Sequence, residues 1–150
     1  MKQLSYLIFI LSTIVFLSSF NSPPPGDTVV IVNKENTISA LSAGEAKLYY
    51  LRKLKSRWPG INKGIRPADR KSKCAEREAF YSTILKMTEA EVSAYFAERQ
   101  FQNAERLPDK FASDAEIIEF VEQEIGAIGY INSKSLTPEV KAKVKVVLEF

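Results

Sequence analysis

The sequence predicts an α/β domain over residues 28–150, with a small mixed sheet flanked by about four helices. Short apolar runs typical of buried strands occur near both ends of this region. Capping-box patterns mark helix starts between them, and prolines and glycines separate the segments. Strands interspersed with helices favour a layered α/β domain over an all-helical one. A chain of 150 residues, 45% hydrophobic and 26% charged, is expected to form one ordinary globular domain.

Residues 1–22 have the pattern of a signal peptide. Lys2 is followed by a run from Leu4 to Phe20 without any charged residue. This run is close to the roughly 20 residues that a membrane-spanning helix needs, so an uncleaved anchor is the alternative to cleavage. Residues 23–27 read Pro-Pro-Pro-Gly-Asp, an extended spacer that cannot continue a helix. We therefore expect the domain to be periplasmic or otherwise extracytoplasmic.

The first half of the domain begins with a strand and a helix. Val29–Val32 is apolar and β-branched, which predicts a strand buried on both faces of a sheet. The next helix is predicted to begin after Ser42, which can cap it and form a capping box with Glu45. The Trp58-Pro59-Gly60 turn follows this helix. Gly64–Pro67 is predicted to be extended, because the residue before a proline favours β geometry.

Three more helices are predicted in the middle of the chain. The first runs from about Lys73 to Lys86, where apolar residues recur at helical spacing. Thr88–Glu91 is a capping box that opens the second, and Ser113–Glu116 is a capping box that opens the third. Gly126 is expected to end that last helix in the left-handed conformation.

Two strands are predicted near the end of the chain. Ala127–Ile131 is apolar and follows a glycine, which is typical of a central strand. Lys143–Glu149 is predicted to be the final strand, with lysines at its start.

The composition excludes several kinds of chemistry. The chain has no histidine and one cysteine, so neither a zinc site nor a Ser-His-Asp hydrolase is supported. Cys74 is interpreted as a small buried residue on a helix, with a reactive thiol or an intermolecular disulfide as alternatives. No nucleophile stands beside a base. We therefore expect no enzymatic activity and no cofactor.

The most distinctive feature is a basic segment between Arg52 and Lys73. Its only acidic residue is Asp69, whereas the whole chain has a net charge of +3. The cationic residues are Arg52, Lys53, Lys55, Arg57, Lys63, Arg66, Arg70, Lys71 and Lys73. The charge is therefore local, which argues against a dedicated nucleic-acid-binding protein.

The end of this segment predicts an anion site. Ser72, placed ahead of a helix, and the first free amides of that helix offer hydrogen bonds and partial positive charge to an oxyanion. Arg66 or Arg70 could grip phosphate or carboxylate with two hydrogen bonds, and Asp69 could orient an arginine or accept a proton from the ligand. The predicted anion-binding residues are Arg66, Asp69, Arg70, Lys71, Ser72 and Lys73. The alternative is a solvated basic turn whose serine merely caps the helix.

Scattered positions carry a resemblance to a known family. Ile38–Ser42 with Glu45, Trp58-Pro59-Gly60 and Gly126–Tyr130 resemble the phosphate ABC transporter substrate-binding family. The resemblance spans roughly Val29–Phe150 and implies one lobe of a type 2 periplasmic binding protein.

The same resemblance implies a function. It places Arg66, Asp69 and Ser72 in an anion loop and Phe80 in the helix that follows. Lys71 and Lys73 replace the glycines that the family has in this loop, and the chain has room for only one of two lobes. The sequence thus favours a domain that binds phosphate or a similar anion weakly. The alternative is a ligand-free lobe that docks an envelope protein, a transporter component or a second copy.

Overall fold

One five-stranded mixed sheet organises the domain. The computed structural model describes residues 26–53 and 57–150, so the predicted signal peptide and most of the spacer lie outside it. The strands are β1 (Thr28–Asn33), β2 (Arg66–Arg70), β3 (Asp109–Phe111), β4 (Ala127–Asn132) and β5 (Val144–Glu149). Their order is β3-β2-β4-β1-β5. β2 pairs in parallel with β3 and β4, whereas β1 pairs antiparallel with β4 and β5. The predicted mixed sheet and the central position of β4 are confirmed.

Helices cover both faces of the sheet. They are α1 (Ala43–Tyr50), α2 (Ala75–Ala79), a π-helix that continues α2 (Phe80–Leu85), α3 (Glu89–Asn103), α4 (Asp114–Gln123), a 3-10 turn (Ser133–Ser135) and α5 (Pro138–Lys143). The sequence did not predict β3 or α5, because segments of three and six residues show no clear period. Within the described residues, no helix is long and apolar enough to cross a membrane.

Local capping explains where most helices begin. Ser42 and Thr88 each accept a hydrogen bond from the amide three residues on, and Glu45 and Glu91 bond back to complete the predicted capping boxes. Ser113 caps α4 in the same way, but Glu116 accepts a hydrogen bond from the Ala112 amide instead of the Ser113 amide, so the predicted capping box is incomplete. These starts were readable from the sequence because a cap involves only neighbouring residues.

The core lies on both sides of β1, as its apolar sequence predicts. Val30 and Val32 belong to the larger hydrophobic cluster, which the sheet forms with α1, the π-helix and α3. Val29 and Ile31 belong to the smaller cluster, against α4. All four side chains are fully buried, so each face of the sheet carries its own layer of helices.

Gly126 does not end a helix in the left-handed conformation, so that prediction is wrong. α4 ends at Gln123, and positive φ among the described glycines occurs only at Gly26 and Gly60. Gly126 is instead required by a close approach of two backbones, because a Cβ there would lie 2.0 Å from the carbonyl oxygen of Gly64. Its own carbonyl accepts hydrogen bonds from the Arg66 amide at 2.8 Å and from Trp58 Nε1 at 2.9 Å.

Both ends of the described domain meet at one edge of the sheet, where β2, β3 and β4 finish. We call this the carboxyl edge. Thr28 pairs with Asn132 at the end of β4. The amide of Thr28 donates to the carbonyl of Phe150 at 3.2 Å, and the amide of Phe150 donates to Thr28 at 3.0 Å. The chain therefore enters and leaves the fold beside the ends of the three parallel strands.

Candidate functional site

The carboxyl edge has the position that ligand sites occupy in open α/β sheets. α2 follows β2 and α4 follows β3, so both helices begin at this edge. Their amino-terminal amides supply partial positive charge there. The sequence-predicted anion site lies along β2 and the loop to α2, so each of its residues can be placed relative to this edge.

Asp69 is almost fully buried, with 1% of its surface exposed, and its carboxylate receives four hydrogen bonds. Oδ1 accepts from Tyr130 Oη at 2.5 Å and from the Arg70 amide at 2.8 Å. Oδ2 accepts from Tyr81 Oη at 2.7 Å and from Lys110 Nζ at 2.5 Å. A carboxylate has about four acceptor positions, so none is left for a ligand. Asp69 is therefore the internal counter-ion of this end of the sheet.

The two tyrosines around Asp69 are held as hydrogen-bond donors. Burial raises the pKa of Tyr81 and of Tyr130 far above the ordinary value, and the negative charge of Asp69 raises it further. Both phenols consequently keep their protons and go on donating. The Tyr130 ring also stacks on Phe80, with ring centroids 4.3 Å apart. This fixes the network against the larger hydrophobic cluster.

Arg70 lies on the opposite face of the sheet from Asp69, because successive side chains of a strand alternate. Its guanidinium forms an ion pair with Asp114 at the start of α4. Asp114 Oδ2 also accepts from the Asn132 amide at 3.1 Å and from Ser135 Oγ at 2.5 Å. Arg70 Nε is buried and has no hydrogen-bond partner among residues 26–53 and 57–150. One nitrogen of this arginine thus remains unpaired at the carboxyl edge.

Arg66 lies at the other end of β2, four residues or about 13 Å along the strand from Arg70. It forms ion pairs with Glu124 at 2.6 Å and Asp109 at 2.9 Å. Its guanidinium also lies 4.9 Å from the centre of the Phe120 ring. The structure therefore does not bring Arg66 together with the other predicted site residues, since one small anion cannot reach both ends of the strand.

Replacing Arg66 with alanine is expected to lower the free energy of unfolding by about 1 kcal/mol, because two partly exposed ion pairs and a ring contact are lost. The same change is expected to leave anion binding unaltered. Urea unfolding measures the first effect and calorimetry with phosphate the second. A loss of anion binding in this variant would contradict the placement of the site at the carboxyl edge.

The alternative interpretation, in which Ser72 merely caps the helix, is wrong. α2 begins at Ala75, and Cys74 occupies the N-cap position without a side-chain capping bond. Ser72 and Lys71 are exposed in the loop, and Lys73 forms an ion pair with Glu78 at 3.0 Å. The extended segment was predicted to end near Pro67, but β2 continues to Arg70, so the helix that follows also begins later than predicted.

Cys74 is half-buried at the helix start instead of buried on the helix. Burial raises the pKa of its thiol, which disfavours the reactive thiolate form. A backbone amide of α2, that of Arg77, and the nearby Arg70 charge act weakly in the other direction. Cys74 therefore contributes a polarisable surface to the site and is not set up as a nucleophile.

Glu76, in the first turn of α2, was absent from the predicted site. Its Oε1 accepts a hydrogen bond from Asn132 Nδ2 at 3.0 Å, joining α2 to the end of β4. Burial acts to raise the pKa of Glu76, but hydrogen bonds from Asn132, its own amide and Cys74, with the Arg70 charge, outweigh this and lower it. The only signal in the sequence was an acid in a first helical turn, which is ordinary in any helix.

These features define a class of protein: a single α/β lobe whose polar carboxyl edge combines two helix starts with a buried arginine. Three solved structures resemble this lobe. A Clostridium perfringens protein, described as a phosphate ABC transporter substrate-binding protein with bound phosphate, matches with a TM-score of 0.62 and 20% identity, over 81% of this chain and 44% of that chain. An ABC-type phosphate transport receptor from Vibrio cholerae matches with a TM-score of 0.61 and 19% identity, over 81% and 45%.

A third structure, described as a possible phosphate binding protein from Planctomyces limnophilus, matches with a TM-score of 0.57 and 16% identity, over 81% of this chain and 40% of that one. The chain thus spans less than half the length of these structures. No protein-family model and no curated protein matches it. The likeness confirms the predicted fold, that of about one lobe of a phosphate substrate-binding protein.

Proposed function

We propose that this chain is an exported, non-enzymatic domain that binds phosphate or a related oxyanion weakly at its carboxyl edge, as part of phosphate uptake or sensing. The ligand would lie between the loop Lys71–Lys73, the start of α2 and the Arg70 guanidinium. Arg66 and Asp69 are left out of the proposed site, because the first is at the far end of β2 and the second is saturated.

The observation that carries this proposal is the start of α2, which follows β2, an interior parallel strand, after the loop of residues 71–74. Hydroxyl side chains cap α1, α3, α4 and α5, whereas α2 has no side-chain cap. Uncapped first-turn amides are the groups that bind anions at helix starts. The likeness to a protein solved with bound phosphate supports the same choice of ligand.

Weak binding is expected because the nearby charges are already engaged. The Arg70 guanidinium pairs with Asp114, Lys73 pairs with Glu78, and Lys110 pairs with Asp69. An incoming anion gains less from a cation that already has a partner, since their mutual attraction must be weakened first.

Calorimetry with inorganic phosphate on the purified protein tests this proposal. We expect heat at millimolar phosphate, and a loss of affinity of up to about fivefold in Lys71→Ala, because an exposed lysine contributes about 0.2–1 kcal/mol to such a contact. Lys63→Ala is the matched control, since Lys63 is also exposed but lies just before the other end of β2. Absence of heat, or equal losses in the two variants, would remove the proposed site.

A second candidate is a lobe that docks an envelope protein, a transporter component or another copy. Two observations favour it: the chain spans less than half of the matched structures, and Thr28 and Phe150, near the two ends of the described domain, lie together at the carboxyl edge. However, among the described residues the large exposed apolar side chains are Phe101 and Leu107, and Leu107 lines a groove at the Arg66 end of β2. The carboxyl edge is polar, which fits an anion better than an apolar partner surface.

A further inference from the structure

The first turn of α2 already contains a carboxylate of the protein itself, that of Glu76. Glu76 lies at the second residue of this helix, which runs on into the π-helix without interruption from Ala75 to Leu85. Its carboxylate is partly exposed and receives the Asn132 side-chain amide at 3.0 Å. Asn132 also connects Glu76 to the Arg70 side of the edge, because its backbone amide donates to Asp114, the ion-pair partner of Arg70.

We propose that the Glu76 carboxylate is an internal anion that occupies the place of an external oxyanion at the carboxyl edge. This inference rests on the proposed function and names the residue that controls the same site. Phosphate binds only by displacing Glu76 from Asn132 and from the helix start, so Glu76 sets the affinity and the selectivity of the lobe.

The donors around Glu76 are those that an oxyanion would use. The side-chain amide of Asn132 points to the Glu76 carboxylate in the first turn of α2, and Arg70, whose buried Nε has no hydrogen-bond partner among the described residues, lies at the same edge. A phosphate in this position would meet a like charge at hydrogen-bonding distance, which opposes binding strongly. Asn132 Oδ1 accepts the Lys134 amide at 2.9 Å, and this bond turns the Nδ2 donor toward Glu76.

Asp114 acts in the same manner on the other side of the edge. It holds Arg70 through an ion pair and is itself fixed by Ser135 and the Asn132 amide. Arg70 and the Asn132 side chain are therefore each engaged by an acid from the same chain. The difference is that Asp114 is held by Arg70, Ser135 and the Asn132 backbone amide, whereas Glu76 can swing away from the Asn132 side chain into solvent.

Titration calorimetry with inorganic phosphate on wild type, Glu76→Gln and Glu78→Gln tests the inference. Glutamine keeps an acceptor for Asn132 but removes the charge, so we expect Glu76→Gln to bind phosphate at least about tenfold more tightly than wild type. Glu78 is the matched control, because it lies two residues along the same helix and pairs with Lys73. Glu78→Gln is expected to raise the affinity by no more than about fivefold, because it only frees the exposed Lys73 from a surface ion pair.

The outcomes separate the inference from the function on which it rests. Phosphate binding that is equal or weaker in Glu76→Gln overturns the role of Glu76 and leaves the proposed function standing. Equal gains in the two variants also overturn it, because they indicate a general charge effect. No binding by any of the three proteins overturns both proposals. Should Glu76→Gln fail to fold, Glu76→Ser removes the same charge and gives the same test.

A structural readout checks displacement directly. In wild type, we expect the Asn132 side-chain amide signals in a ¹⁵N NMR spectrum to move when phosphate binds, because their acceptor changes. In Glu78→Gln they move in the same way. Phosphate binding that leaves these signals in place would mean that Glu76 does not hold the ligand position.

Discussion

Replacing Gly126 with alanine is expected to lower the free energy of unfolding by about 3 kcal/mol, at the upper end of ordinary overpacking. The added Cβ would lie 2.0 Å from the carbonyl oxygen of Gly64, so two backbones must separate. Moving them apart also strains the hydrogen bonds that the Gly126 carbonyl accepts from Arg66 and Trp58. Trp58 is buried in the larger hydrophobic cluster, so moving it also disturbs the packing of the core. Urea unfolding followed by Trp58 fluorescence measures the effect.

Gly44→Ala is the matched control for this change. Gly44 lies in the first turn of α1, where an added Cβ has no atom within 4 Å. Alanine there is expected to raise the free energy of unfolding by about 0.5–1 kcal/mol, because glycine loses more backbone entropy in a helix. If the urea midpoint of Gly126→Ala equals that of wild type, the close contact of the two backbones does not exist in solution.

Replacing Asp69 with asparagine is expected to lower the free energy of unfolding by about 3 kcal/mol, as expected for a buried ion pair that loses one partner. The amide group can accept on one side only, so its own donors would face a tyrosine hydroxyl or Lys110. Lys110 is 43% exposed and can regain water, which keeps the loss near the lower end of the usual range. Thermal unfolding followed by circular dichroism measures it.

Tyr81→Phe is the control for the Asp69 network. It removes one donor from Asp69 and leaves the other three, so a loss of about 1–2 kcal/mol is expected. A Tm of Asp69→Asn equal to that of Tyr81→Phe would show that the carboxylate charge contributes nothing, and Asp69 could then not be the counter-ion described above.

The candidate site was only partly predictable from the sequence. The basic loop and Arg70 were found because charge is visible in the sequence without any knowledge of contacts. Arg66 was predicted at the same site because the strand was expected to end near Pro67, whereas β2 runs on to Arg70 and leaves Arg66 at its far end. The alternation of the strand then places Asp69 and Arg70 on opposite faces, where they contact different helices.

Glu76 was missed for a related reason. Its role depends on Asn132, which is 56 residues away in the chain. No local pattern distinguishes this glutamate from the acids that open α3 and α4. Its assignment required the position of β4 beside β2.

By itself, the sequence determined the α/β class, the strand β1 buried on both faces, the capped starts of α1 and α3, and the local positive charge. Each of these follows from residues a few positions apart, through caps, β-branched runs and simple charge. The tertiary structure alone decided the function of Gly126, the saturation of Asp69, the separation of Arg66 from Arg70 and the contact between Glu76 and Asn132. The separation of the two arginines follows from the length of β2, and the other three depend on contacts between residues far apart in the chain, most of which the parallel pairing of β2 with β3 and β4 brings together.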